Sequence, residues 1–435
     1  MSHTDLPPLY SHHSYSAEPT TTAHPVPVYT ERAHTTERVL HRSSSEPEAA
    51  SRTLDGIGTR EYKYKTDTVE INLGPCPWGL LYCAYGRCGA VKGLVTFLKK
   101  GNGILQVTAT LRGAVTVTTT EHTMVASVAK RTFLSQTVTL FQAEVASTIQ
   151  PGTPFPFNLP FPENATTEDF SLPPSVSIFH PGASAEISYT VQVDIVRSKF
   201  YRHEMRAIPL LYLPKSSPQH PPLPEMPLVY PGNDIPGGMR KVALNPVWPS
   251  CATQEAKEKD LATVQALFPE PPEFASGETI PLALYISCPN SPAIPKLLSD
   301  NIGVFLIKRK KVWINEGRHI SIREIIVEKV KELRVNSMLE GVLYLTMDLQ
   351  AGEHGAECSW GIPGYMTVEY VVRIIVRPPA YASHLPVYKC DEVIRICTDS
   401  YGRLSRELLT MDGTPMPALG LTNLLTSPAA LRLHH

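Results

Sequence analysis

The chain has 435 residues, of which 42% are hydrophobic and 19% charged. That is enough apolar material for packed cores and too little charge for a wholly unstructured chain. Lys plus Arg number 40 and Asp plus Glu 41, a formal net charge of −1, so nothing in the overall charge draws the chain to nucleic acid or an anionic surface.

The first residues, "MSHTDLPPLYSHHSY", lack the apolar core of a secretory signal, and no apolar run reaches the ~18–20 residues needed to cross a bilayer. A cytoplasmic address is the expectation, with the eight cysteines reduced. Three of them, Cys76, Cys83 and Cys88, crowd into "CPWGLLYCAYGRC". Their spacing is not that of paired C-x-x-C zinc ligands, and no histidine pair accompanies them, so they read as core thiols. Neither a metal nor a cofactor is expected.

In chain order, residues 1–65 are rich in His, Ser, Thr and Pro and read as a disordered tail. Residues 66–215 turn to short alternating runs. In "GILQVTATLRGAVTVTT", Leu105, Val107, Ala109 and Leu111 share a face. In "AEISYTVQVDIVR", Ile187, Tyr189, Val191, Val193 and Ile195 do the same. β-branched residues on a period of two, broken by Gly and Pro, favour strands. Residues 216–275 hold "SSPQHPPLPEMPLVYPGNDIPGG" and read as a proline-rich connector, with "EAKEKDLATVQALF" able to form a helix. Strand patterns return over 276–377, ending in "YMTVEYVVRIIV", whereas "IREIIVEKVKELRV" fits strand or helix. Residues 378–435 read as a second loose tail. Many short strands and almost no long helix predict an all-β protein of two immunoglobulin-like β-sandwiches, since sheets apolar on one face bury it by pairing.

The order of features narrows this. Gly93 and Val95 lie in a G-x-V strand, and Leu111 and Gly113 in a strand ending L-x-G. An F-x-F-x-L-P segment runs from Phe155 to Pro160, P-P-S from Pro173 to Ser175, and I-x-Y-x-V-x-V from Ile187 to Val193. Together these resemble the arrestin N-terminal domain. "SGETIPLALYISCPNS" and "TVEYVVRIIVRP", with Glu369 and Tyr370, resemble the arrestin C-terminal domain. The resemblance spans about 66–378. No arginine-containing tail that would rebuild the polar core of visual arrestins is found, which directs the resemblance to the alpha-arrestins.

That resemblance implies an adaptor between membrane cargo and WW-domain ubiquitin ligases of the HECT class, recruited through P-P-x-Y motifs. The cargo would be the cytoplasmic tails of transporters or receptors. Ubiquitin would be attached to cargo and to the adaptor itself, with recruitment to the plasma membrane and endosomes. Pro7, Pro8, Leu9 and Tyr10 form one such motif, and Pro378, Pro379, Ala380 and Tyr381 a second. Leu385, Pro386, Val387 and Tyr388 form the L-P-x-Y variant. A random chain of this composition would hold about 0.16 P-P-x-Y motifs; this one holds two. Adjacent prolines pre-set polyproline II for a groove of aromatic side chains, and the tyrosine anchors beside it. The alternative is an ordinary proline turn. Ile362-Pro363-Gly364-Tyr365, just before a strand, reads as a turn, and Val26-Pro27-Val28-Tyr29 lacks the first proline or leucine.

"IKRKKVWI" places Lys308, Arg309, Lys310 and Lys311 in one run. It reads either as a charged, solvated edge strand or as a contact for phospholipid or acidic cargo, with peripheral membrane association. Catalytic signatures such as G-x-S-x-G, H-E-x-x-H or a phosphate loop are missing, and "RHEMR" and "GEHGAEC" read as solvated pairs, so no enzyme is expected. The rival readings are an arrestin-fold scaffold in signalling or retrograde sorting, and an enzyme or sugar-binding β-sandwich.

Overall fold

The computed structural model describes residues 61–75, 77–119, 127–166, 169–198, 203–223, 226, 237–250, 261–314, 317–339, 341–410 and 416–425. The Pro7–Tyr10 motif, Val26–Tyr29 and Cys76 lie outside them. The fold is all-β, built almost wholly of antiparallel sheets.

The first sandwich pairs two sheets. One has the order β1 (Glu61–Lys65), β2 (Val69–Pro75), β4 (Ala90–Phe97), β7 (Pro154–Pro160). The other runs β3 (Ala84–Tyr85), β10 (Glu204–Tyr212), β9 (Ala183–Arg197), β5 (Gly101–Thr119), β6 (Ser127–Ile149), with β8 (Val176–His180) paired to β9. Alternation decides what goes inside. Along β9, Ala185, Ile187, Tyr189, Val191, Val193 and Ile195 are buried while the residues between them are not. Phe161, Tyr189 and Tyr212 form an aromatic knot with centroids 4.6–5.7 Å apart. The Tyr189 hydroxyl, buried with its ring, donates to the Pro173 carbonyl at 2.6 Å, which ties the P-P-S segment to this core.

Two motif glycines have a steric reason. Gly93 faces Phe157 across the β4–β7 pair, where a Cβ would lie 2.3 Å from the ring. A Cβ on Gly113 would lie 2.7 Å from Phe133 and 2.9 Å from Tyr189. The glycines let large aromatics cross the core.

The second sandwich has one sheet ordered β11 (Met239–Ala243), β13 (Thr263–Pro269), β15 (Thr279–Ser287), β19 (Val342–Gln350), β18 (Leu333–Leu339). The other runs β12 (Asn245–Val247), β22 (Val387–Cys397), β21 (Met366–Val376), β16 (Ile302–Ile314), β17 (His319–Lys329). There β14 (Glu273–Ala275) pairs with β22 and β20 (Trp360–Ile362) with β21. A short helix, α1 (Ile294–Ser299), precedes β16, and α2 (Arg403–Thr410) follows β22.

Several expectations change. The expected connector 216–275 already contains β11 to β14. The part of "EAKEKDLATVQALF" that is described enters β13 rather than a helix. "IREIIVEKVKELRV" divides between strands β17 and β18. The largest change is in the expected loose tail at 378–435, because β22 lies inside a sheet between β12 and β21. Tyr388, Cys390, Ile394 and Ile396 face in, while Lys389, Asp391, Val393 and Arg395 face out. The prolines before this strand masked its period. Farther on, residues 416–425 pack where the sandwiches meet: Leu421 and Ala418 are buried with Leu213 and Cys358, and the Ala418 amide donates to the Leu213 carbonyl at 2.8 Å.

Candidate functional site

The strand β21 ends at Val376, opposite Tyr388 of β22, so the second P-P-x-Y motif occupies the loop of a hairpin. The Arg377 amide donates to the Asn301 carbonyl at 3.0 Å and fixes where the loop leaves the sheet. Pro379 has φ −64° and ψ 157°, the polyproline II region. Ala380–Ala382 then forms one 3-10 turn, closed by the Ala382 amide donating to the Pro379 carbonyl at 2.9 Å. Ala382 and Leu385 plug into the core at 4% and 3% exposure, and Tyr381, just before them, projects outward at 76%. Two buried anchors thus hold an exposed phenol at the tip.

The L-P-x-Y variant is placed very differently. Leu385, Pro386 and Tyr388 are buried, and Val387 is half-buried. The Tyr388 hydroxyl accepts from the Ala262 amide at 2.9 Å. Burial, the dominant cause, pushes its pKa up to about 12. As folded, this segment has no free tyrosine to present, so it is structural where the sequence suggested a ligand. Ile362–Tyr365 is a turn, as expected: Gly364 has φ +75° and the Tyr365 amide donates to the Ile362 carbonyl at 3.1 Å.

The basic run lies on β16, flanked by β21 and β17, and is neither an edge nor freely solvated. Lys308 is buried and pairs with Glu357 at 2.6 Å; Glu357 also accepts from the buried Tyr370 hydroxyl. Glu357 of "GEHGAEC" is therefore a partner inside the fold and not a solvated acid. On the opposite face Arg309 bonds Glu324 at 2.8 Å, Asp391 at 2.9 Å and Glu369 at 3.2 Å, and Lys311 bonds Glu369 at 2.7 Å. Arg373 completes the network with Asp391 at 2.7 Å and Glu324 at 2.9 Å. Its guanidinium beside Glu324 and Asp391 holds both carboxyls below the usual range. The exception is Lys310, which has no ion pair among the described residues. Three of the four cations are spent within the protein, which leaves little of the run for lipid or cargo.

The sandwiches meet along a polar seam. The imidazole of His180 on β8 lies 2.8 Å from the Ser321 hydroxyl on β17, and Arg323 donates to the Phe179 carbonyl at 3.3 Å. Nearby, Arg131 sits over the Tyr365 ring, 5.5 Å from its centroid, beside a cleft of about 380 Å³ that Trp313, Ile314, Val117 and Thr119 also line.

Other sequence readings divide. Cys83 is buried, but Cys88 is exposed with φ 57°. Glu204 of "RHEMR" is tied to Thr66 and Thr68 and is not a solvated acid. Among the described residues no group of His, Cys, Asp and Glu could hold a metal ion, and no helix is long and apolar enough to cross a membrane. The outer-face network was missed because its members are scattered over β16, β17, β21 and β22; only the strand register brings them together.

No family model matches the sequence, and no curated protein matches it at a significant level.

Proposed function

We propose that the chain is an adaptor of the alpha-arrestin type, which recruits a WW-domain HECT ubiquitin ligase to the cytoplasmic parts of membrane transporters or receptors. The carrying observation is the hairpin tip at 378–381. There Pro379 is already in polyproline II and Tyr381 is exposed, held by buried Ala382 and Leu385. A proline already held in polyproline II loses less entropy on docking. The two β-sandwiches and the order of their motifs support the family reading. In this reading the chemistry, transfer of ubiquitin to cargo and to the adaptor, belongs to the ligase. The Pro7–Tyr10 motif is the second arm, and two linked weak sites raise overall affinity through effective concentration. Leu385–Tyr388 takes no part.

The test is binding of the purified chain to an array of HECT-ligase WW domains, beside Tyr10→Ala, Tyr381→Ala and the double variant. Binding by the unaltered chain that is lost in the double variant supports the adaptor. No binding by the unaltered chain favours the second reading, an arrestin-fold scaffold in signalling or retrograde sorting, for which the fold suffices and the tyrosines are dispensable.

A further inference from the structure

The seam between the sandwiches carries a charge imbalance of its own. Lys310 and Arg323 stand directly opposite one another across the β16–β17 pair, and like charges in that position weaken a sheet. Lys308, next on the same face, is paired with Glu357. Lys310, between buried Lys308 and buried Val312, has no carboxylate at ion-pair distance among the described residues. The hydrogen bond described for Arg323 goes to a neutral acceptor, the Phe179 carbonyl.

Facing these cations from the first sandwich is His180, only 8% exposed. Its Nδ1 is engaged with Ser321, but its Nε2 is buried without any hydrogen-bond partner. Buried polar nitrogens are nearly always satisfied, so an orphan in a cationic surrounding points to an acceptor from outside the chain. Burial first, then the charges of Arg323 and Lys310, holds the imidazole pKa below its ordinary value and favours the neutral ring. In the neutral tautomer that carries its proton on Nε2, the Ser321 hydroxyl donates to Nδ1 and Nε2–H remains as a donor.

We propose that Lys310, Arg323 and His180 form a binding site for a small oxyanion of the phosphate type, which bridges the two sandwiches. An ammonium, a planar guanidinium and an imidazole N–H suit several oxygens on one tetrahedral centre. A charge near −2 would offset both lysine and arginine, which a halide with one charge and no directed lone-pair geometry does not. Because His180 comes from β8 and the cations from β16 and β17, the ion stabilises the contact between sandwiches and not either one alone. The site is independent of ligase recruitment, so neither proposal falls with the other.

The experiment is calorimetric titration and thermal unfolding of the full chain with sodium phosphate, against sodium chloride at matched ionic strength, and with O-phosphoserine in a separate arm. Phosphate should bind once per chain and raise the unfolding midpoint where chloride does not. Arg323→Gln, at an exposed side chain, and Lys310→Gln should each weaken binding by about tenfold or more. Lys241→Gln, at an exposed position of β11, should leave it unchanged. A response to phosphate and phosphoserine alike assigns the site to phosphoryl groups carried on other molecules, and a response to phosphate alone assigns it to the free ion. An equal response in phosphate and chloride, or undiminished phosphate binding in both variants, overturns the proposal.

Discussion

The Tyr388 hydroxyl accepts the Ala262 amide at 2.9 Å, while Tyr381 on the loop just before it stands 76% exposed. Two tyrosines in look-alike motifs therefore stand in opposite surroundings. Tyr388→Phe strands a buried amide and should cost about 1–3 kcal/mol. Tyr381→Ala should change stability by less than about 0.5 kcal/mol. Binding to a WW domain should respond the other way round, weakened in Tyr381→Ala, which leaves the Pro7–Tyr10 arm, and unchanged in Tyr388→Phe. Denaturant unfolding and WW titration of both variants decide it. A Tyr388→Phe protein of unchanged stability that no longer binds would show that the L-P-x-Y segment is a ligand after all.

The sheet interiors were legible because burial on one face writes a period of two, as in Ile187 to Ile195 and Met366 to Val376. The chain after Arg377 was not. Pro378, Pro379 and Pro386 punctuate it like a tail, yet "VYKCDEVIRIC" alternates cleanly once Tyr388 is seen to be inside. Tyr381 and Tyr388 are indistinguishable as letters, and only the position of the hairpin separates them. Lys308 and Lys310 share a face, but no local pattern signals that Glu357, 49 residues on from Lys308, reaches the first and not the second.

Gly93 and Gly113 test whether the motif glycines are steric. A Cβ at Gly93 meets the Phe157 ring at 2.3 Å, and one at Gly113 lies between Phe133 and Tyr189. Overpacking of this kind costs about 1–3 kcal/mol, so Gly93→Ala and Gly113→Ala should each lower the unfolding midpoint. Gly93→Ala combined with Phe157→Leu should lose less than the two single effects added together, since the flexible leucine can yield to the new methyl. Strict additivity in thermal unfolding would show that the two sites do not share this contact.

The network on the outer face predicts an acid response. Glu324 and Asp391 have folded-state pKa values below their ordinary ones, mainly through hydrogen bonds from Arg373. The unfolded chain therefore binds protons at a higher pH than the folded one. Their contribution is complete above about pH 5, declines as the pH falls through the ordinary carboxylate range near 4, and is gone below the folded-state values. Arg373→Gln should flatten the stability profile between about pH 5 and 3, with the loss of stability present above about pH 5 and vanishing in acid, and small because these side chains are partly exposed and screened. Urea midpoints across that range measure it; an unchanged acid slope in Arg373→Gln would remove the network from the account.

The segment 416–425 offers the sharpest check on the revised end of the chain. Leu421 is fully buried with Leu213 and Cys358, whereas Leu419, two residues before it, is 38% exposed. Leu213 terminates the first sandwich, where its amide donates to the Tyr85 carbonyl at 2.8 Å, and Cys358 belongs to the second. If the segment joins them, Leu421→Ala should cost about 2 kcal/mol, the low end for a buried leucine because a small cluster can collapse onto the gap. Leu419→Ala should cost less than about 0.5 kcal/mol. Hydrogen exchange adds the local reading. The Ala418 amide, bonded to the Leu213 carbonyl, should exchange faster in Leu421→Ala than in the parent, while amides in the middle of β9 keep their protection. Equal exchange at Ala418 in both proteins would mean that the segment does not hold the sandwiches together, and the join would then rest on their other contacts, the polar seam at His180 among them.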